Sequence, residues 1–66
     1  MDAFKSLDRL VDAFYAGKFE PSNYDWFVRG SELFILDENG KELFNRLCGG
    51  VIMEVCAIFG VIPDEI

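Results

Sequence analysis

LFILDENGKELFNRLCGG, residues 33–50, decides the fold of this chain. Two readings of it lead to different molecules. Asn39-Gly40 is a strong short-range hairpin signal and would pair ILDE with KELF. That plain register sets Asp37 opposite Glu42, a like-charge pair that destabilises it. Alternatively, Asn39 caps a helix and Glu42 occupies its third position, the spacing of a capping box. Asp37 and Glu38 then lie at the positive end of the helix dipole, and Glu42 and Arg46 form an i,i+4 pair. The helix is the preferred reading, and a third strand ending near Phe44 is the alternative.

Downstream, the apolar spacing supports the helix. Phe44, Leu47, Val51, Val55, Ile58 and Ile62 recur at three- and four-residue steps, and Cys48, Ile52 and Phe59 broaden the stripe. A helix of about 40–60 that is apolar over most of its circumference is a buried one. Gly49 and Gly50 inside it would cost about 1 kcal/mol each relative to alanine, a cost offset if another backbone approaches closely there. In the hairpin reading the pair instead marks where the helix begins. Pro63 stops it, leaving an acidic tail at 63–66.

Upstream, DAFKSLDRLVDAFYAG reads as an amphipathic helix over about 2–16. Phe4, Leu7, Leu10, Val11, Phe14 and Tyr15 line one face, while Lys5, Asp8, Arg9 and Asp12 line the other. Asp2 is placed to cap its start and Gly17 to follow its end. KFEPSN is a connector, since Pro21 disfavours a helical Glu20. WFV and LFIL are short runs rich in aromatic and β-branched residues, separated by Arg29-Gly30-Ser31-Glu32. Gly-Ser at the centre fits a two-residue turn with glycine first, giving strands at about 25–29 and 32–36. A competing reading has Ser22 capping a short helix with Asp25 at its third position. The expected fold is a small single α+β domain spanning 1–66: an N-terminal amphipathic helix, a short antiparallel hairpin and a hydrophobic C-terminal helix.

Composition narrows the functional classes. The 66 residues carry twelve Asp and Glu against six Lys and Arg, with no His, for a net charge of −6. That balance argues against direct binding to nucleic acid or to an anionic membrane surface, and it suits a basic protein partner. Hydrophobic residues make up 52% of the chain, more than so small a core readily hides, so an exposed patch or a second copy is expected to absorb the surplus. MDAFKSLDRL lacks the apolar core of a secretory signal, and Cys48 to Pro63, interrupted by Glu54, is too short for a membrane span. A cytoplasmic location follows as the expectation.

LCGGVIMEVCAIFG, residues 47–60, collects the residues that could carry chemistry. On one helix Cys48 and Cys56 would stand about 12 Å apart along the axis, beyond the roughly 7 Å that a disulfide spans. Zinc favours close Cys or His pairs, and there is no CxxC and no His. The double glycine is followed by no lysine and fits neither phosphate-loop pattern. Glu54 is most simply a helix's solvent edge. DENGKE is rich in oxygen, but the twelfth residue from Asp37 is Cys48 where a calcium loop needs glutamate. Without His the usual general base is missing, and Ser6, Ser22 and Ser31 lack a nucleophile context. No cofactor, no metal and no enzymatic activity are expected.

A surface remains. Five acids and two bases fall between Asp25 and Glu42, interleaved with Trp26, Phe27 and Phe34. Strand alternation turns Trp26 and Val28 to one side and Asp25, Phe27 and Arg29 to the other. Aromatic anchors beside charges are what protein interfaces favour, and rows of carboxylates imitate a phosphate backbone. The candidate partner-binding residues are Asp25, Trp26, Phe27, Glu32, Asp37, Glu38 and Glu42. The expected role is a non-enzymatic acidic binder that inhibits or modulates a larger, basic nucleic-acid-handling protein, as a nucleic-acid mimic. Phage and mobile-element proteins that block host defence, the anti-CRISPR proteins among them, share this size and acidity; the analogy extends to size and charge, and no motif carries it. The alternatives are a homo-oligomeric structural or adaptor domain assembled through the apolar helices, and a subunit that folds fully within a larger complex.

Overall fold

The computed structural model describes residues 3–65. A 3-10 turn at Ala3–Lys5 leads into helix α1, Leu7–Tyr15. The helix begins at Ser6, whose extended backbone and side-chain oxygen, accepting from the Arg9 N–H at 3.2 Å, cap the first turn. The expected cap at Asp2 lies outside the described residues, and the helix is shorter than 2–16. It ends as expected, with Gly17 in the left-handed region at φ 73°. Leu10 and Ala13 are its buried residues, while Leu7, Val11 and Phe14 pack at the margin of the core.

Pro21–Asn23 forms a second 3-10 turn with proline in its first position. Ser22 does not cap a helix reaching Asp25; its hydroxyl donates to Glu20 Oε1 at 2.9 Å. Strands β1, Asp25–Arg29, and β2, Glu32–Leu36, then form the expected hairpin with the expected bounds. Gly30 has φ 61° and Ser31 has no positive φ, so the turn is of the glycine-first type.

The decisive stretch is a second hairpin, and the helix expected over 40–60 is corrected. Strand β3 runs Glu42–Leu47 and pairs antiparallel with β2. Asp37 Oδ1 accepts from the backbone N–H groups of Asn39, at 2.9 Å, and Lys41, at 2.8 Å, and Gly40 takes φ 81°. Register removes the charge conflict. Ile35 faces Phe44, but Leu36 faces Glu42, so Leu43 is an extra residue in a β-bulge. The bulge moves Glu42 off Asp37 and onto Leu36.

Beyond β3, the Cys48 and Gly49 N–H groups both donate to Ser31 O, tying the end of the strand to the first turn. Gly49–Val51 is a 3-10 turn, and helix α2 spans only Ile52–Phe59, closed by left-handed Gly60. The expected close approach at the double glycine is also corrected: a Cβ at either residue would meet nothing within 4 Å. Gly49 serves the turn, with φ 60°. The acidic tail contains a two-residue strand, β4, Asp64–Glu65, lying parallel to β1. The sheet order is β3-β2-β1-β4, so the sheet is mixed and four-stranded.

One core unites the two helices with one face of this sheet. Trp26, Leu33, Ile35 and Phe44 supply the sheet's side, and Leu10, Ala13, Ile52, Val55, Cys56 and Phe59 the helices' side. Phe19 joins them, stacked on Tyr24 at 5.3 Å and edge-on to Phe59 at 5.7 Å. Trp26 packs on Phe59 at 5.3 Å, and its indole N–H donates to Pro21 O at 2.9 Å. Full burial of each such side chain stabilises by roughly 1.5–3 kcal/mol, and aromatic pairs add about 0.5–1.5.

Candidate protein-binding face

Because paired residues present their side chains on the same side of a sheet, the register draws a map of the outer face. Its middle row is Asn45, Phe34, Phe27 and Asp64, from β3 to β4. On one side of that row lie Glu42, Leu36 and Asp25; on the other lie Leu47, Glu32 and Arg29. Phe27, Phe34 and Leu36 are half-buried, and neither helix packs on this side. The Arg29 guanidinium sits over the Phe34 ring, 5.4 Å from its centroid, a cation–π contact. Phe27, Arg29, Phe34, Leu36 and Glu42 line a shallow depression of about 380 Å³.

The face therefore has an apolar centre and a charged margin. Asp25, Glu32, Glu42 and Asp64 supply the margin's carboxylates, and Arg29 its cation. An apolar centre within a polar rim is the anatomy of a protein interface.

Of the seven residues expected to bind a partner, Asp25, Phe27, Glu32 and Glu42 share this face. Asp37 and Glu38 stand just beyond it, at the β2–β3 turn, where they line a second depression of about 320 Å³ with Asn23 and Tyr24. One oxygen of Asp37 is already committed to that turn. Trp26 is a correction: it is 5% exposed, on the opposite side of β1, and belongs to the core. Alternation had already separated it from Phe27. Phe34 and Arg29, noted in the sequence as part of this surface but not counted among its candidate residues, also lie on this face, and Leu36 and Asp64 join them without having been anticipated. The turn centre at Gly30-Ser31 signals that Phe27 faces Phe34, whereas Asp64 arrives through a parallel pairing that no local signal marks.

The rest of the chain supplies little reactive chemistry. Burial pushes the Cys48 thiol up from its ordinary value, and pushes the Cys56 thiol up too, with the charge of Cys48 adding to the effect. A reactive cysteine needs the opposite shift. Among the described residues, no three His, Cys, Asp or Glu side chains are grouped to hold a metal ion, and no helix is long and apolar enough to cross a membrane. Glu54 is exposed on the outward side of α2, as expected, beside Met53, Ala57 and Ile58. Comparison with protein-family models, curated proteins and solved structures finds no match for this chain.

Proposed function

We propose that this protein is a non-enzymatic acidic binder that docks its outer sheet face on a larger, basic, nucleic-acid-handling protein and inhibits or modulates it. The observation that carries this reading is the uncovered sheet face, with Phe27, Phe34 and Leu36 at its centre and carboxylates around them. Apolar contact supplies affinity once docked, and the carboxylates select a cationic partner and speed encounter. Asp25 and Glu42 flank Leu36 from the two neighbouring strands, about 10 Å apart at the usual strand spacing, and would meet cationic positions of the partner that otherwise hold phosphates.

The test is capture from a lysate of the source cells with the wild-type chain and with an Asp25→Lys/Glu42→Lys variant, washed at rising salt. A nucleic-acid-binding protein that the wild type retains, the variant loses, and added duplex competes away supports the reading. A partner indifferent to both charge and competitor sinks it.

A second reading, the homo-oligomeric structural or adaptor domain, is favoured by α2, where Met53 and Ile58 are 65% and 48% exposed on the outward side. Light scattering on the same preparation separates the two. A stable dimer abolished by Met53→Glu, with no captured partner, favours the second.

A further inference from the structure

The outer face restricts what can cover it, and we infer that its occupant is a basic amphipathic helix of the partner protein, laid across the strands as a third layer. This deepens the proposed function and rests on the reading of the outer face as the binding surface.

Four observations lead there. First, a sheet with helices on one face is a complete two-layer arrangement when its other face is polar, so an apolar strip on that other face marks a place for a further packed element, and a helix is the element that packs across a sheet face. Phe27, Phe34 and Leu36 supply that apolar strip. Secondly, main-chain pairing at the sheet's edges is blunted. The free β3 edge carries the Leu43 bulge, and Arg46, paired with core residue Leu33, turns a charge to the core side and donates to Lys5 O at 3.0 Å. The β4 edge is two residues long. Bulges, inward charges and short edge strands are the ordinary protections against an added strand.

Thirdly, charge excludes a second copy of this face. Each copy would offer Arg29 alone against Asp25, Glu32, Glu42 and Asp64 of the other, and each chain carries −6. Fourthly, the Phe27–Phe34 pair resembles a stacking platform for bases, but such platforms lie in positively charged grooves, and this one is ringed by carboxylates.

A helix with apolar residues at i, i+3, i+4 and i+7 matches the strip. Its flanking lysines or arginines reach Asp25 and Glu42 on one side and Glu32 on the other. Four strands span about 14 Å, which two to three helical turns cross.

The test is a titration of the isotope-labelled chain with a 14-residue leucine–lysine peptide whose leucines share one helical face, followed by backbone NMR. One control peptide has the same composition with the leucines dispersed; another has glutamate for lysine. The expected result is saturable shifts at Phe27, Phe34 and Leu36, with at least tenfold weaker binding of either control. Asp25→Lys/Glu42→Lys should weaken binding at least tenfold, and Glu54→Lys, on the far side, should change it less than twofold. These are changes at exposed positions that leave the core untouched, so loss of binding is not loss of fold. Equal binding of the dispersed peptide, shifts confined to α2, or no binding of any peptide overturns the inference. A peptide that binds as expected, with no nucleic-acid-handling protein captured, retains the inference and rejects the proposed inhibitory function. The converse retains the function and rejects the helix.

Discussion

Asp37 holds Lys41 twice: its backbone N–H donates to Lys41 O at 2.9 Å, and its Oδ1 accepts from the Lys41 N–H at 2.8 Å. The same oxygen takes the Asn39 N–H, so one carboxylate organises the turn that makes 33–47 a hairpin. Asp37→Ala should destabilise the fold by about 1–2 kcal/mol, because two backbone donors lose a charged acceptor. Asp37→Asn, which keeps the acceptor oxygen, should recover about half of that. Urea denaturation of the three chains measures the difference, and equal midpoints would show the turn to be held by Gly40 alone.

The two adjacent glycines should behave oppositely. Gly49 sits at φ 60°, and the left-handed region costs an L-residue roughly 1–2 kcal/mol, so Gly49→Ala should destabilise by about that amount. Gly50 has no positive φ and open space around its would-be Cβ. Gly50→Ala should therefore be neutral or stabilising by about 0.4–1 kcal/mol, through the entropy of the unfolded chain. Thermal melts of the pair decide this. A larger loss at Gly50 would reinstate a close backbone contact there.

Trp26 is the chain's single tryptophan and is buried, so its fluorescence should be blue-shifted and poorly quenched by acrylamide. Occupation of the outer face should leave that quenching nearly unchanged, since the indole lies on the other side of β1. Trp26→Phe should cost about 1–3 kcal/mol, by losing the indole's hydrogen bond to Pro21 O, which keeps the Tyr24 N–H, and by vacating core volume beside Phe59. A partner that directly shields the indole would return Trp26 to the binding surface.

The thiols predict an alkaline weakness. Both have folded-state values raised above the ordinary 9.0, so the unfolded chain loses these protons first as pH rises. Fewer protons are then bound in the unfolded than in the native state, and stability falls with pH. The thiol contribution is fully present below about pH 8 and declines as pH passes the unfolded value and approaches the folded ones. Denaturation midpoints at pH 7.5 and 9.5 should separate for the wild type. They should separate less for Cys48→Ala/Cys56→Ala, and an unchanged separation would assign the effect to other groups.

Much of this architecture was legible along the chain. The α1 stripe, the Gly30-Ser31 turn and the alternation that divides Trp26 from Phe27 are local patterns, and each element appears where its pattern lies. The stretch after Leu36 was legible in two ways. Asn39-Gly40 followed by Glu42 satisfies the hairpin and the capping box together, and the apolar positions from Phe44 to Ile58 keep a helical period across a strand, a turn and a helix although only Phe44 and Val55 among them are buried, Leu47, Val51 and Ile58 being exposed. The plain hairpin register looked penalised because it opposes Asp37 and Glu42. A one-residue bulge at Leu43 relieves that opposition, and nothing short-range announces it.

What the sequence determined by itself is therefore the set of local periods, the turn chemistry and the acidity: an α+β chain with a carboxylate-rich central segment. Tertiary structure decided the rest. It made a third strand of Glu42–Leu47, brought Asp64 beside Phe27 through a parallel pairing, and sent both helices to the same side of the sheet. The physical reason is that strand pairing and layer choice are non-local. They are settled by which apolar face can be covered at the least cost in unpaired backbone and opposed charge, and that balance exists only once distant segments meet.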